Sequence, residues 1–425
     1  MDVDLGHLSR PCSCGEEHRL GTEYICIEPG AVERLEDILG PYQNPVFICD
    51  SNTRDAAKPY LKEEFKDYLV IELKPDGLIC DEKHIRKVLS QLEVCDLGLS
   101  SVPVDVLVAI GGGTVHDLTR YVADEYKIPF VSVPTSASAD GYTSSVAMYR
   151  KDGMIRYQYA SAPRWVLADT NIFTKAPYRL TAAGISEIYS KYTALFDWKI
   201  AHLVTGEYFC ERIYNMVKAI AEDIPRLSED VHDGDPEACE RLMKHLLMLG
   251  LAEQMMNTTR AVSGAEHYVA RLWSMQVING PIDAYHGESV GIAFLQVLER
   301  YKKLGKAIRK DKVHATDESA RGLEIHMLEE AFTDPKMLDD ILEENEPNPL
   351  DDIDLEVFEE KIDEIADEIR DLPSVSKVTE QMQQAGCVTD PKALGLSPDV
   401  CSRSLDLAPY VRSRMTFLRL AKLLA

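Results

Sequence analysis

Between residues 45 and 170, short uninterrupted apolar runs alternate with stretches of helical spacing. The runs are Pro45–Cys49, Tyr68–Leu73, Asp105–Ile110, Phe130–Val133 and Trp165–Ala168. Short runs rich in β-branched side chains, separated by helix-length segments, predict strands of a parallel sheet covered on both faces. From about Leu180 the apolar residues fall three and four apart, as in Met243–Leu249, and β-branched clusters almost vanish. That spacing predicts helices. The change lies near Pro177, so the chain divides into an α/β domain over residues 1–176 and an all-helical domain over 177–425. A length of 425 residues exceeds one ordinary core and agrees with two. A cleft between the halves is the expected ligand site.

Residues 334–373 are strongly acidic, yet Ile362, Ile365 and Ile369 recur at helical spacing, which predicts solvated helices with an apolar stripe. Over the whole chain 46 basic residues face 71 acidic ones, a net charge of −25. Such a surface repels nucleic-acid backbones and anionic lipid, and no basic patch offsets it, so neither partner is expected. A phosphorylated small ligand would need a locally positive pocket, which singles out Lys191 and Arg271 among cations in apolar contexts. The N-terminal Met1-Asp2-Val3-Asp4 lacks a basic segment followed by an apolar run, and no stretch has the length of a membrane span. Ten cysteines without a repeating spacing fit reduced thiols, and a cytoplasmic location is expected. Cys12-Ser13-Cys14-Gly15 followed by His18 places two thiols and an imidazole where they can bind zinc. A fourth ligand is not evident nearby, and a turn with two ordinary thiols is the alternative.

Strand residues Val106–Ile110 run straight into Gly111-Gly112-Gly113-Thr114-Val115, after which helical spacing begins. Glycines let a backbone approach a pyrophosphate, and the following helix offers free N–H groups and a positive dipole end. The third glycine of the usual dinucleotide fingerprint is missing, and a plain tight turn also fits. Asp50, ending the run Val46–Cys49, is placed to accept from a ribose hydroxyl or to cap Ser51-Asn52-Thr53. An acid there disfavours a 2′-phosphate, so NAD is expected ahead of NADP. After Val133 comes a hydroxyl-rich stretch in which Thr135, Ser136, Ser138 and Ser144 can donate to ribose, phosphate or amide oxygens.

Glu187 is one carboxylate in an otherwise small and apolar helix start, Thr181–Tyr192, and a buried acid requires a cation or hydrogen bonds. His267 and Arg271 are four apart on a predicted helix and share a face. His286 precedes Gly287, which permits close approach. A carboxylate and two imidazoles with a position left open make a catalytic rather than a structural metal site.

With these residues the chain resembles the sn-glycerol-1-phosphate dehydrogenases of the iron-containing alcohol dehydrogenase and dehydroquinate synthase superfamily. The resemblance spans nearly the whole length. It rests on Cys12–Gly15, GGGTVHD at 111–117, SVPTSASADGYTSS at 132–145, SKYTALFDWKIAH at 190–202, SGAEH at 263–267, HGESVGIA at 286–293 and Ala408–Thr416. It implies an α/β nucleotide-binding domain with a parallel sheet, then an all-α domain that binds metal and substrate. Gly111 to Val115 and Thr135 to Ser138 would hold NAD or NADP with Ser144 assisting, and Asp140 would touch substrate. Glu187, His267 and His286 would bind one divalent ion, zinc by habit and nickel or iron in some relatives. A homo-oligomer, dimer or larger, is expected. Two departures stand out: the dehydrogenase branch has Asp where this chain has Glu187, and a substrate-binding His where it has Arg271. Glutamate there is the habit of dehydroquinate synthases. It shifts an ion by about one methylene, roughly 1 Å, while arginine adds a fixed bidentate charge.

The expected reaction is reversible hydride transfer between NAD(P)H and a small phosphorylated ketone, dihydroxyacetone phosphate giving sn-glycerol 1-phosphate, with a place in phospholipid metabolism. The ion would act as Lewis acid, Asp140 would orient a hydroxyl, and Arg271 with Lys191 would hold the anionic end. A sugar-phosphate cyclase or lyase of the dehydroquinate synthase kind, using NAD transiently, is the alternative that Glu187 and Arg271 favour. A non-catalytic nucleotide-binding protein is a third.

Overall fold

The computed structural model describes residues 3–62, 68–98, 102–310, 313–315 and 322–424. Met1 and Asp2, the start of the segment read for a leader, lie outside the described residues. Among the described residues eight strands form: β1 (Tyr24–Glu28), β2 (Pro45–Asp50), β3 (Leu69–Leu73), β4 (Val106–Gly111), β5 (Phe130–Pro134), β6 (Val146–Lys151), β7 (Met154–Tyr159) and β8 (Trp165–Asp169). Six of them make one sheet in the order β1-β8-β5-β4-β2-β3, and β6 and β7 make a separate ribbon. Every pairing in the six-stranded sheet is parallel. All five predicted strands are present.

The central strands β2, β4 and β5 are buried at every position, which is why they read as continuous apolar runs and not as alternating ones. Their two faces nevertheless separate by parity. Val46, Ile48, Leu107, Ala109 and Phe130 pack with Val115, Leu118 and Val122 of the helix Gly113–Tyr126 and with Ile85, Val88 and Leu92 of the helix Glu82–Gly98. Phe47, Cys49, Val106, Val108, Ile110, Val131 and Val133 pack on the other side with Val32, Leu35, Leu39 and Ile172.

Three strands escaped the sequence pattern. The edge strand β1 pairs only with β8, and its apolar core Ile25-Cys26-Ile27 is bracketed by Tyr24 and Glu28. The ribbon β6–β7 is mostly half-exposed and mixes Arg, Lys and Gln with its apolar residues. Its turn uses Asp152 and Gly153, both at positive φ (50° and 81°), the signature of a tight hairpin.

After β3 the chain crosses to the far side of β2, so the reversal of strand order falls between β2 and β4. Open α/β sheets bind ligands at the carboxyl ends of the strands flanking such a switch. The residues found there are Asp50, the last of β2, and Gly112, after β4.

The chain forms two compact units. One comprises Met1–Lys151, Ile155–Ile185 and Arg226–Thr259, and the other Asp152–Met154, Ser186–Pro225 and Arg260–Ala425. Residues 177–185 and 226–259, beyond the expected boundary at 176/177, therefore belong with the sheet. The second unit is mostly helical. Its acidic stretch forms the helices Pro335–Glu344 and Leu355–Asp371, the second burying Phe358, Ile362, Ile365 and Ile369. Asp334 and Asp354 cap the two N-termini, each accepting two backbone N–H bonds. Among the described residues no helix is long and apolar enough to cross a membrane.

Within the first unit, Gly184 of the helix Tyr178–Tyr189 touches the loop after β5. A Cβ built there would lie 2.0 Å from the Ala137 carbonyl oxygen. Gly184→Ala is expected to cost about 1–3 kcal/mol, the usual penalty for overpacking, and to lower the midpoint of denaturant unfolding. An unchanged midpoint would show that the loop yields freely.

Candidate functional site

In the first unit, the turn after β4 is shaped by its glycines. A Cβ on Gly111 would meet the Val115 side chain at 2.6 Å, so that position admits only glycine without movement. Side chains added at Gly112 and Gly113 would instead find their nearest atoms at 4.0 and 3.6 Å, leaving the backbone open to an approaching ligand. His116, one turn into the helix, braces the loop. Its Nδ1 lies 2.9 Å from the Gly112 carbonyl oxygen and so carries the proton, while Nε2, 2.8 Å from Ser132 Oγ, accepts. Burial pushes this imidazole down to about 3, which keeps it neutral.

The loop after β5 is joined to the same turn by Thr135 N–H, which donates to the Gly111 oxygen at 3.1 Å. Tyr142 OH donates to the Ser136 carbonyl at 2.6 Å and lies within 3.3 Å of the Ser136 and Ser138 hydroxyls. Ser144 is bonded to Glu253 and supports Val146 N–H at 2.9 Å. Asp140 is buried at the start of the short turn Gly141–Thr143. Asp50 does what the capping reading required. Its Oδ1 accepts from Asn52 and Thr53 N–H at 2.8 and 3.0 Å. His116, Tyr142 and Glu253 were missed in the sequence; the signal for His116 was an imidazole in the first turn of the helix that follows the three glycines.

In the second unit, Glu187, His267 and His286 come together, each offering a donor atom within 4.8 Å of the others. Two close approaches make this possible. A Cβ on Gly291, in the helix His286–Ile308, would lie 2.8 Å from Ser186 Cβ, so that helix approaches the residue beside Glu187. A Cβ on Gly264 would lie 2.7 Å from Asp197 Oδ2 and 2.9 Å from Ala194 Cα. The start of the helix Ala265–Met275, which carries His267, thus rests on the helix Lys191–Thr205.

Glu187 is fully buried. Its Oε1 accepts from Lys191 Nζ at 2.8 Å and from His267 Nε2 at 3.1 Å. Its Oε2 is buried with no hydrogen-bond partner, and His286 Nε2 lies 3.7 Å from it. Burial opposes ionisation, but the charges of Lys191, His267 and His286 outweigh it and hold the carboxyl well below the usual range. Burial likewise opposes the charge on His267, yet the Glu187 carboxylate pushes this imidazole up to about 9.

An ion at Nε2 of His267 would take the place of that proton, and the partnerless Glu187 Oε2 is the kind of buried acceptor that an ion satisfies. The donor set fits a divalent metal. Lys191 also donates to the Val262 carbonyl at 2.9 Å and is fully buried.

A set of carboxylates behind these three side chains had not been read from the sequence. Glu266 Oε1 accepts from His267 Nδ1 at 2.8 Å and from Gly264 N–H at 2.7 Å, and its Oε2 accepts from Thr193 at 2.7 Å. A carboxylate on the outer nitrogen fixes the tautomer of a ligating imidazole. Asp197 accepts from Ala265 N–H at 2.8 Å, from Tyr301 OH at 2.7 Å and from Phe417 N–H at 2.9 Å. Burial, with the neighbouring Glu266 charge, pushes it up to about 7. Glu266 stood next to His267, and Asp197 lay between Phe196 and Trp198; an acid in such apolar company was the available clue.

Arg271 is buried over the Tyr268 ring, 5.2 Å from its centroid, with Nη2 3.4 Å from Ser263 Oγ. Arg414 Nη1 donates to the Ser263 carbonyl at 3.3 Å. Burial lowers the Arg271 guanidinium well below its ordinary value, and the charges of Arg412 and Arg414 add to the effect. Arg414 is lowered to about 10, again chiefly by burial. Arg271 and Arg414 thus meet at Ser263, and the charge of Arg412 acts on Arg271; only Arg271 was singled out in the sequence.

Residues 26–177 match the family model described as iron-containing alcohol dehydrogenase. The glycerol-1-phosphate dehydrogenase [NAD(P)+] of Geobacillus thermodenitrificans is 28% identical over 422 residues, covering 97% of this chain and 95% of that protein. The enzyme of the same name from Pyrococcus furiosus is 34% identical over 286 residues, covering 64% of this chain and 75% of its own. Among solved structures, glycerol dehydrogenase from Schizosaccharomyces pombe superposes with a TM-score of 0.55 at 19% identity, covering 88% of this chain and 95% of that one. Sulfoacetaldehyde reductase from Bifidobacterium kashiwanohense, in complex with NAD+, gives 0.58 at 13% identity, with 92% of each chain covered. These two share the fold, a parallel-sheet domain followed by a mostly helical region. The sequence relatives carry the assignment further: the chain belongs to the glycerol-1-phosphate dehydrogenase family of NAD(P)-dependent oxidoreductases, among the iron-containing alcohol dehydrogenases.

Proposed function

We propose that this enzyme interconverts dihydroxyacetone phosphate and sn-glycerol 1-phosphate with NAD(H), using one divalent ion, zinc in first place, at Glu187, His267 and His286. The observation that carries the reading is the buried Glu187 Oε2, without a hydrogen bond, beside two imidazoles. Bound there, the ion supplies Lewis acidity toward the carbonyl oxygen of the ketone. The nicotinamide supplies the hydride.

The protein's own residues hold this chemistry in place. Lys191 supplies the counter-charge to Glu187, a role better suited to its buried position than the substrate contact expected from sequence. Glu266, steadied by Thr193, keeps the His267 proton on Nδ1 and so leaves Nε2 as a ligand. Arg271, Arg412 and Arg414 bind the phosphate, giving a chain of net charge −25 the local positive pocket such a substrate needs. The acid at Asp50 favours NAD over NADP, and a cytoplasmic location suits a substrate of this kind.

Glu187 and Arg271, where the dehydrogenase branch has Asp and His, also support a cyclase that uses NAD transiently, and kinetics separate the two readings. With metal-loaded enzyme and dihydroxyacetone phosphate, NADH is expected to disappear continuously until equilibrium. Phosphate release from a sugar phosphate with no net change in NADH would replace this reading with the cyclase.

His286→Ala is expected to abolish metal binding and turnover while unfolding at the midpoint of metal-free wild type, since its side chain is 36% exposed. Glu187→Gln strands Lys191 in the interior and is expected to cost about 3–5 kcal/mol as well as the metal. Metal analysis and denaturation of both variants check this; an undiminished metal content in His286→Ala would show that the site is misplaced.

A further inference from the structure

We propose a second metal site in the first unit, a structural zinc site formed by the Cys12 and Cys14 thiolates and the His18 imidazole. Both thiols come from one turn. Gly15, at φ +87°, closes it, and its N–H donates to the Cys12 carbonyl at 3.3 Å. The Cys12 and Cys14 sulfurs and a ring nitrogen of His18 lie within 4.8 Å of one another, with Cys14 Sγ 3.4 Å from His18 Nε2. Neither cysteine is in a disulfide.

The histidine is the decisive member. At 2% exposure it is buried. Its Nδ1 lies 2.8 Å from the Met255 carbonyl oxygen, an acceptor only, so Nδ1 carries the proton and Nε2 turns its lone pair toward the thiols. An imidazole whose outer N–H is tied to a carbonyl, and whose inner nitrogen faces two sulfurs, has the arrangement of a metal ligand. Two soft thiolates and one imidazole select zinc over magnesium or calcium.

The place suits a structural role. Met255 lies at the carboxyl end of the helix Pro236–Met256, and the neighbouring Gln254 side chain accepts from Gly21 and Thr22 N–H at 2.8 and 3.3 Å and donates to Thr22 Oγ1 at 2.9 Å. Zinc here clamps the N-terminal segment to that helix end. Its binding expels the two thiol protons, and the fourth tetrahedral position is filled from outside the Cys12–His18 segment.

The site shares no residue with Glu187, His267 and His286, which allows the two to be tested apart. Full-length protein stripped with a chelator and reloaded with zinc is expected to hold two equivalents. Cys12→Ser/Cys14→Ser and His286→Ala are each expected to hold one. Reloading with cobalt gives thiolate-to-cobalt charge-transfer absorption in wild type and in His286→Ala, but not in the double-serine variant, whose remaining ion has no sulfur ligand. The double variant keeps its dehydrogenase activity and unfolds at a lower temperature. If it fails to fold, the cobalt spectrum of His286→Ala alone decides. Absence of the sulfur band in His286→Ala, an unchanged metal count in a folded double variant, or a Cys12–Cys14 disulfide found by mass spectrometry would each overturn the proposal. Replacing the remaining eight of the ten cysteines one at a time then shows whether a thiolate is the fourth ligand.

Discussion

The second unit is organised around a carboxylate that has no business being buried unless it is neutralised. Glu187 lies out of water with Lys191 on one oxygen and no hydrogen bond on the other. Taking an ionised carboxylate from water costs several kcal/mol even after relaxation, so the surrounding groups must hold it charged. Lys191 is one turn away on the following helix, and the two imidazoles arrive on two further helices. Gly264 and Gly291 set how closely those helices can approach, because a methyl group at either would enter occupied space. Helix packing and charge compensation are therefore one problem with a common solution. Behind it, Glu266 and Asp197 bind the first turn of the His267 helix and so hold the His267 imidazole in one orientation.

The first unit solves a different problem, that of holding an open backbone turn at the end of a buried strand. Strands β4 and β5 are buried throughout and hold the two loops that follow them. Gly111 keeps the turn tight against Val115, and His116 and Tyr142 fix the loops through neutral hydrogen bonds. Neutrality matters here. A charged imidazole there would set its need for solvent against its burial. The low value imposed on His116 by burial removes that conflict.

How much of this was legible follows from what each signal depends on. The interior strands could be read because full burial demands an unbroken apolar run, whereas the buried core of β1 is only three residues long and the β6–β7 ribbon is half-exposed and carries charged residues among its apolar ones. The helical character of residues 226–259 was legible, but their place beside the sheet was not, since periodicity reports which face is apolar and not what covers it. Glu187 stood out as an acid among small apolar residues. Lys191 was noticed as well, but as a cation for the substrate, because sequence spacing cannot show that its ammonium is already engaged by Glu187 and Val262. Arg412 and Arg414 lie far along the chain from Arg271, and only folding reveals that Arg414 meets it at Ser263 and that both charges act on its guanidinium.

Anomalous diffraction at the zinc edge, from crystals of the full chain grown with zinc, tests the central claim most directly. A peak is expected about 2.0–2.2 Å from a Glu187 carboxylate oxygen and from Nε2 of both His267 and His286, with His267 Nδ1 still bonded to Glu266. Density for His267 hydrogen-bonded to Glu187 with no peak among the three side chains would contradict it.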